Sequence, residues 1–434
     1  MRAELDINWE HYEEHLDEAA FLWSQWERAL VAPDYVLHEV LADEERLLAR
    51  MDALRLGGAT VAEQLLVPAL QSDEAERLSA AALVLLTEET PAGGGEAVRT
   101  ALDSAEPPAL AAIRRALEVL DTRALPAWVP DLLERNEAPL QALGLEVMRV
   151  HGVDPGPRLS RLLDHAAPQV LAAALRASGR LGHRVELGVL ARALDAPLPE
   201  VRDAAIEVGL LQGRRAAWAA CQQAVEARAP RLRLPALLLA LGGDERDLER
   251  LRRLLAEPEH RPDALWALGF SGRVSSAGAC LEWLADPRCA PLAAEALGAI
   301  TGLRLEGSFV MKAEEPGEEE DDPDKDLSPR PEDALPRPHA GAVAAWWSEH
   351  RKQFEPERRY LHGRPFTPAL LQEALVEAPM RRRQALALEL TLRSRGAFWP
   401  PTQAPGPRQL AALRALRAAP PEAFSRSFTE GLHA

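Results

Sequence analysis

The sequence predicts an all-α protein, a right-handed α-solenoid of about eight stacked helical hairpins with distinct helical caps at its two ends. Glycines close Leu- and Ala-rich runs at intervals of 29 to 31 residues, and prolines recur about half a repeat away. The glycines are Gly152, Gly182, Gly213, Gly243, Gly272 and Gly302, and the prolines are Pro107, Pro139, Pro168, Pro197, Pro230, Pro258 and Pro287. Proline suits the first turn of a helix and glycine the residue just past its end, so this fixed period indicates stacked helical hairpins.

Four parts are predicted along the chain. Residues 1–57 form an aromatic-rich N-terminal helical cap, because the end unit of a solenoid must cover an otherwise exposed apolar face. Residues 58–302 form the repeat array, in which apolar residues recur at helical spacing. Residues 303–340 are an acidic, proline-rich linker, mobile or disordered, and residues 341–434 are a C-terminal helical region.

The linker prediction depends on composition. Residues 314–333 contain eleven acids and two bases, a net charge of −9 within a chain total of −17. With much proline and few apolar residues, the segment has too little surface to bury to offset its chain entropy. A divalent-cation site is the alternative. The segment lacks the spaced acids and glycine turn of an EF-hand loop, so a solvated tether is favoured.

The overall composition narrows the class of protein. Of the 434 residues, 27% are charged and 47% hydrophobic, which is ordinary for a folded soluble chain. A net charge of −17 argues against a general nucleic-acid binder, because phosphate neutralisation needs a basic surface. The N-terminus lacks the order of a signal peptide, and no uncharged stretch is long enough to span a membrane. Because Cys221, Cys280 and Cys289 form no C-x-x-C pair, we expect a cytoplasmic protein with reduced thiols.

Tryptophan is concentrated at the two ends of the chain, since six of the ten tryptophans lie outside the array. Tryptophan and arginine dominate the hot spots of protein interfaces. We therefore predict Trp23, Trp26, Trp346 and Trp347 as residues that contact a partner. The alternative is that all four are buried inside the end pieces.

The C-terminal region also contains a basic segment. Between Arg351 and Arg395, ten bases stand against five acids. Such a surface could bind an acidic partner or the chain's own acidic linker. Arg359, Tyr360 and Arg364 are the predicted contact residues here, and ordinary solvated helix faces are the alternative.

One short motif matches a metal-binding pattern. His11, Glu14 and His15 fit H-x-x-E-H, which places two imidazoles on one helix face with a carboxylate between them. Nothing in the sequence supplies a third ligand, so an exposed or capping helix face is favoured and no metal is predicted. The sequence also lacks the G-x-S-x-G, P-loop and dinucleotide-binding glycine motifs. We predict no catalytic residue and no cofactor.

The repeats resemble a known type. The run VRDAAIEVG at 201–209 and the Ala-Leu-Gly endings, such as 296–298, are similar to short HEAT repeats like those of the phycobilin lyases. The resemblance covers roughly residues 58–302. It implies the fold but no activity, because one fold hosts many functions.

Both ends of the chain resemble an uncharacterised proteobacterial family of HEAT-like repeat proteins. The N-terminal match is carried by His15, Glu18, Ala19, Ala20, Phe21, Leu22, Trp23, Glu44, Arg46 and Leu47. The C-terminal match is carried by Trp346, Trp347, Phe354, Arg359, Tyr360, Gly363 and Pro365. Trp26 stands where the family has an arginine. Members are often encoded near type VI secretion spike and tip-protein genes, which implies an adaptor or chaperone role in loading an effector or tip protein.

Together these features favour a non-catalytic protein-binding scaffold or adaptor. Its partner is expected to be another protein, in the type VI context a secretion effector or tip protein, and not nucleic acid or a membrane. The alternative is a HEAT-repeat lyase-like enzyme or an enzyme accessory subunit. A third reading is a structural subunit of a larger assembly. A stoichiometric protein partner would favour the adaptor, and a co-purifying small molecule would favour the enzyme.

Overall fold

The computed structural model describes residues 7–87, 93–311 and 330–433, and most of these residues are helical. Besides isolated bridges, strand structure within them consists of one antiparallel pair, β1 (Tyr360–Leu361) and β2 (Arg364–Pro365). The predicted all-α class is therefore confirmed. In none of the described helices is a run both long and apolar enough to cross a bilayer.

The chain divides into two compact units, each built from pieces that are distant in sequence. Unit 1 consists of Met1–Leu30, Tyr35–Val208 and Pro400–Ala412. Unit 2 consists of Val31–Asp34, Gly209–Trp399 and Leu413–Ala434. The boundary at Val208 lies inside the predicted array, so residues 58–302 are shared between the units.

Unit 1 contains the helices from α1 to most of α12. They are α1 (Trp9–Ala29), α2 (Leu37–Leu56), α3 (Gly58–Val61), α4 (Val67–Ala69), α5 (Ala75–Leu85), α6 (Gly94–Leu102), α7 (Pro107–Val119), α8 (Ala138–His151), α9 (Arg158–Leu162), α10 (Pro168–Leu181), α11 (Leu187–Leu194) and α12 (Pro199–Leu211). A π-helical turn at Ala62–Leu66 separates α3 from α4. Two 3-10 turns, Thr122–Ala124 and Val129–Glu134, lie between α7 and α8.

The longer helices of unit 1 pack in sequence order. Helix α5 packs against α7, α7 against α8 and α8 against α10, while the shorter α6 and α9 pack beside α7 and α10. Every residue of α5 from Leu78 to Leu85 is buried, and most of them are Ala, Leu or Val. The small side chains allow neighbouring helices to approach closely, and the branched ones fill the remaining volume.

Proline and glycine mark the bounds of α8 and α10 as predicted. Helix α10 begins at Pro168, whose fixed φ suits a first turn. Gly152 and Gly182 directly follow α8 and α10, with φ of 68° and 74°. After α8, the Val153 N–H donates to the Met148 carbonyl oxygen at 2.8 Å, which closes the helix end. The left-handed conformation at these two positions explains the glycine, because a Cβ disfavours it.

Unit 2 contains the remaining helices. They are α13 (Arg215–Glu226), α14 (Arg233–Gly242), α15 (Glu245–Leu254), α16 (Arg261–Ser271), α17 (Val274–Leu281), α18 (Ala290–Thr301), α19 (Ala340–His350), α20 (Pro368–Glu377), α21 (Met380–Arg393) and the second part of α22 (Gly406–Ala418). Short 3-10 turns occur at Gly307–Phe309, Pro331–Ala334, Arg351–Gln353 and Pro421–Phe424.

Helices α14, α16 and α18 form the buried centre of unit 2. Helix α14 packs against α16 and α16 against α18, while α13, α15 and α17 pack beside them. A Cβ added at Gly269 of α16 would lie 2.8 Å from Ala296 Cα of α18, so these two helices approach at backbone distance. Gly243, which follows α14, differs from the other array glycines because its φ of −79° is not left-handed.

The C-terminal region of unit 2 contacts the residues that directly follow α12 and α16. The Tyr360 N–H donates to the Gly272 carbonyl oxygen at 2.7 Å, just past α16. The His433 N–H donates to the Gly213 carbonyl oxygen at 2.8 Å, just past α12. The last carbonyls of a helix have no intrahelical donor. In unit 2 the C-terminal region therefore supplies donors to the carbonyls at these helix ends.

Residues 312–329 of the predicted acidic linker lie outside the described residues. Its described ends are hydrogen-bonded to each other within unit 2. The His339 N–H donates to the Phe309 carbonyl oxygen at 2.7 Å, and Val310 forms an antiparallel bridge with Pro338. These flanking residues therefore belong to the folded part of the unit.

The cysteines lie in the core of unit 2. Cys221, Cys280 and Cys289 are all buried, and no disulfide joins them. Burial raises the pKa of the Cys280 thiol to about 12, so this thiol is protonated at neutral pH. This environment suits a packing role for Cys280 rather than a reactive one.

Candidate partner-binding face

Successive array helices of unit 1 carry charged side chains at the repeat period. We name this set the charged row: Arg115 and Glu118 on α7, Glu146 and Arg149 on α8, Arg176 and Arg180 on α10, and Glu207 on α12. Arg115, Glu146, Arg176 and Glu207 follow one another at 30 or 31 residues, so the sign of the charge alternates from helix to helix. These four residues thus occupy equivalent turns of successive array helices.

Ion pairs link neighbouring helices of the charged row. Arg176 Nη1 donates to Glu146 Oε1 at 3.0 Å, and Arg149 Nε donates to Glu146 Oε2 at 2.7 Å. The Glu146 side chain is only 11% exposed, whereas that of Arg176 is 34% exposed. The carboxylate lies deep in the row and the guanidinium groups extend from it toward solvent.

Glu146 and Glu207 face the same two arginines, but their pKa values are shifted in opposite directions. Burial alone would raise the pKa of Glu146, but Arg149 and Arg176 outweigh burial and lower it. For Glu207, burial raises the pKa, and the same two arginines offset only part of that effect. Within the described chain, no hydrogen bond or ion pair reaches the Glu207 carboxylate. The row therefore includes one half-buried acid whose ionisation is only partly compensated.

The ends of α8 and α10, two of the helices that carry the charged row, are open, in contrast to the end of α16 in unit 2. Gly152 and Gly182 are exposed. Within the described chain, no heavy atom beyond the local backbone comes within 4 Å of a Cβ placed at Gly182. At Gly152 the nearest is Arg180 Nη2, at 3.9 Å. In unit 2, a Cβ at Gly272 would lie 2.2 Å from the Tyr360 carbonyl oxygen.

The predicted contact tryptophans at the N-terminus lie in the core of unit 1. Trp23 and Trp26 are 2% and 1% exposed. Trp26 Nε1 donates to Glu44 Oε2 at 3.1 Å, and both Glu44 oxygens accept the Gly406 N–H, at 2.8 and 2.9 Å. In this structure these indoles pack and anchor the N-terminal helices and present no surface to a partner. A carboxylate at the N-terminus of α22 also matches the helix dipole.

The predicted C-terminal contact residues are divided between core and surface. Trp347 and Tyr360 are buried, at 6% and 5% exposure. Trp346 is half-buried and stacks on His350, with ring centroids 4.5 Å apart. Arg364 is an exposed residue that pairs with Glu373. Of this group, Trp346 and Arg364 are the ones that a partner can reach.

Arg359 acts inside unit 2. Its guanidinium and that of Arg393 both bind the carboxylate of Glu389, which is fully buried, with Arg359 Nη2 and Arg393 Nε each 2.7 Å from a carboxylate oxygen. Phe366 lies against both guanidinium groups, 4.2 and 4.8 Å from its ring centroid. Burial alone would raise the pKa of Glu389, but the two arginines outweigh it and lower the pKa.

One described acid of the acidic segment pairs with the basic segment. Glu332 lies 3.1 Å from Arg381 Nη2 and 3.6 Å from Arg233 Nη1. Arg381 also binds Glu295 of α18 at 3.2 Å. Binding of the basic segment to the chain's own acidic linker, one of the alternatives raised by the sequence, is therefore observed at Glu332.

The two histidines of the H-x-x-E-H motif are hydrogen-bonded to each other. His15 Nε2 lies 3.0 Å from His11 Nε2, and Arg50 Nη1 lies 3.4 Å from His15 Nδ1. Because a guanidinium only donates, His15 Nδ1 accepts and its proton belongs on Nε2. In this tautomer His15 Nε2 has no lone pair for a metal ion. Burial, followed by His11 and Arg50, lowers the pKa of His15, which favours this neutral form.

Two other charged clusters of unit 2 lie at the surface. Glu257, Glu259 and His260 bring one potential ligand atom each within 4.8 Å of one another. Glu257 already binds Arg228 at 2.8 Å, and Glu259 is exposed. An open depression of 470 Å³ between α13 and α15 is lined by Glu and Arg side chains that pair with each other, as Arg250 does with Glu226 at 2.6 Å.

None of the residues of the charged row was among the contact residues predicted from the sequence, although the sequence contains a pattern that marks them. Opposite charges that alternate at the repeat period, as at Glu146 and Arg176, are visible once the helices are placed in register. No protein-family model matches this sequence, and no curated protein matches it. Assignment of a role to the charged row therefore depends on its geometry.

Proposed function

We propose that this protein is a non-catalytic protein-binding scaffold, an α-solenoid of HEAT-like helical hairpins whose charged row in unit 1 contacts the partner. The observation that carries this proposal is the open row itself. Charges held on rigid, successive helices can match a complementary pattern on another protein, and such matching gives specificity and fast association. The order in which α5, α7, α8 and α10 pack supports the stacked-hairpin arrangement.

The internal pairing of the row supports a binding role. Glu146 holds Arg149 and Arg176 in defined positions, so little side-chain entropy is lost when a partner arrives. Glu207 has a raised pKa and no hydrogen-bonded partner within the described chain. A partner that supplied a hydrogen-bond donor to Glu207 would stabilise its buried carboxylate, and this stabilisation adds to the affinity.

The resemblance of the two chain ends indicates which partner to test first. In the resembled family, genes near those of type VI secretion spike and tip proteins imply a loading role. We extend the proposal to a type VI accessory that holds an effector or tip protein. The type VI part of the proposal depends on the resemblance alone.

Affinity capture with the full chain tests the function. A tagged chain should retain a stoichiometric protein from a host lysate, and the double variant Glu207→Gln with Arg180→Gln should lose most of it. The matched control is Glu96→Gln with Arg99→Gln, an exposed pair on α6 that is 3.6 Å apart and makes the same change in charge. Equal capture by both variants would show that the charged row is not part of the interface. A small molecule in place of a protein would favour the enzyme alternative.

A further inference from the structure

A pocket of about 300 Å³ opens in unit 2 at the end of α21. Its lining includes three arginines, Arg393, Arg395 and Arg426, and two acids, Glu422 and Glu430. Arg393 and Arg395 lie at the end of α21, and the other three residues follow α22 in the sequence. Ligand pockets commonly range upward from about this volume, so this one suits a small ligand.

Arg393 fixes the loop that forms the opposite wall of the pocket. Its Nε binds the buried Glu389 at 2.7 Å, and its Nη1 donates to the carbonyl oxygens of Arg426 and Phe424, at 2.9 and 3.4 Å. Glu389 therefore neutralises the Arg393 guanidinium. The bonds to the loop carbonyls set the position of the backbone at Arg426 relative to α21.

Arg395 brings a positive charge that no carboxylate neutralises. Its Nη1 donates to the Leu210 carbonyl oxygen at 2.8 Å, and its Nη2 donates to that of Glu430 at 3.1 Å. Both acceptors are neutral, and within the described chain no acid forms an ion pair with this guanidinium. Partial burial lowers the pKa of Arg395, and no carboxylate opposes that effect. A guanidinium has five N–H donors, so Arg395 retains donors for a ligand.

Arg426 brings a second positive charge from the loop. Its side chain is exposed and, as far as the structure describes the chain, makes no hydrogen bond or ion pair. Glu422 and Glu430 line the same pocket, but neither forms an ion pair with Arg395 or Arg426 in the described fold. Two guanidinium groups with unused donors therefore lie on one pocket.

We propose that this pocket binds the phosphate group of a small phosphorylated molecule through Arg395 and Arg426. A phosphate monoester carries up to two negative charges and three acceptor oxygens, so it can engage both guanidinium groups at once. The site lies in unit 2 and does not depend on the scaffold function proposed for the charged row of unit 1.

Two features of the pocket oppose an anion, and both are limited. Glu422 and Glu430 reduce the positive charge, but both are exposed, so solvent and salt screen them. The carbonyls at the end of α21 carry partial negative charge. The N–H groups of Arg395 and Gly396 bind two of these carbonyls, at 3.1 and 2.9 Å. The two acids therefore reduce the affinity for an anion without excluding it.

Isothermal titration calorimetry of the full chain with sodium phosphate, at low ionic strength, tests the proposal. Phosphate should bind saturably at a single site. The affinity should fall about tenfold in Arg426→Gln, which removes a charge but no contact of the described fold. Arg246→Gln is the matched control, because Arg246 is exposed and lines the depression between α13 and α15. This variant makes the same change in charge and should alter the affinity less than about twofold.

Two further titrations test the chemistry of the ligand. Glu430→Gln should raise the affinity for phosphate about threefold, because it removes a negative charge from the pocket. Succinate should bind more weakly than phosphate, because its flexible chain must be ordered to bring two carboxylates to the two guanidinium groups.

The inference is overturned by an absence of saturable phosphate binding, by equal affinity in Arg426→Gln and Arg246→Gln, or by a lower affinity in Glu430→Gln. Tighter binding of succinate would replace phosphate by a dicarboxylate as the ligand. A phosphoserine peptide that bound about tenfold more tightly than phosphate would place the phosphate on a partner protein and contradict the small molecule. Circular dichroism of each variant checks that the fold is retained.

Discussion

Individual carboxylates in this protein have opposite effects on stability, and the difference depends on their partners. Glu389 is fully buried and bound by Arg359 and Arg393, whereas Glu207 is half-buried with no hydrogen bond or ion pair in the described chain. The pKa of Glu389 is lowered and that of Glu207 is raised. The same substitution should therefore change the free energy of unfolding in opposite directions at the two positions.

Glu389→Gln should destabilise unit 2. Removing one member of a buried ion pair leaves the arginines uncompensated, which costs about 3–5 kcal/mol. Because the folded pKa of Glu389 is lowered, its contribution exists above the unfolded pKa and disappears as pH falls through the folded value. The difference from wild type in urea unfolding should narrow below about pH 4. Glu373→Gln, at the exposed pair with Arg364, is the control and should cost less than about 1 kcal/mol.

Glu207→Gln should stabilise unit 1 at pH 8. A raised folded pKa means that ionised Glu207 costs stability, and this cost is absent below the unfolded pKa and present above the folded one. Urea midpoints should be higher for the variant at pH 8 and equal to wild type below about pH 4. A lower midpoint at pH 8 would contradict the environment assigned to this acid. Stability given up at a binding residue is a common trade-off.

At the scale of the element, the same glycine-terminated helix occurs in two environments. Gly182 after α10 and Gly272 after α16 have φ of 74° and 66°, so both are left-handed. The Cβ position is open at Gly182 and is 2.2 Å from the Tyr360 carbonyl oxygen at Gly272. Comparison of Gly182 with Gly272 therefore distinguishes two roles of glycine: adopting a left-handed φ and allowing another backbone to approach closely.

Gly182→Ala should cost about 1–2 kcal/mol, the price of a left-handed residue that has a Cβ. Gly272→Ala adds a backbone clash, so its loss should be larger by about 1–3 kcal/mol. Chemical unfolding of both variants measures the difference. Equal losses would mean that the Tyr360 segment yields without cost and does not hold the end of α16.

The hydrogen bonds of the C-terminal region predict a pattern of amide exchange. The amides of Tyr360, His362 and Gly363 lie in a short hairpin, where exchange is normally fast. Each donates to a carbonyl at the end of α16 or α18, at 2.7 to 3.0 Å. Hydrogen exchange should show them protected nearly as well as the helices they bind. Fast exchange at all three would contradict the observed covering of these helix ends.

At the scale of the whole molecule, the sequence predicted the helices better than the site. Proline at the start and glycine after the end of α10 report local backbone preferences, which depend on neighbouring residues alone. The burial of Trp23 and Trp26 could not be predicted in this way, because hot-spot statistics and core packing favour the same residue type. The charged row was missed for a related reason. Its members lie 30 residues apart and become neighbours only when the helices stack.

The anchoring of Gly406 by Glu44 has a consequence for synthesis on the ribosome. Unit 1 takes residues 400–412 from near the end of the chain, so its N-terminal helices are translated almost 400 residues before their last neighbour exists. Until then the inward-facing Glu44 carboxylate lacks the amide that satisfies it. A nascent chain halted after residue 399 should remain sensitive to protease in α1 and α2, and release of the full-length polypeptide should confer resistance.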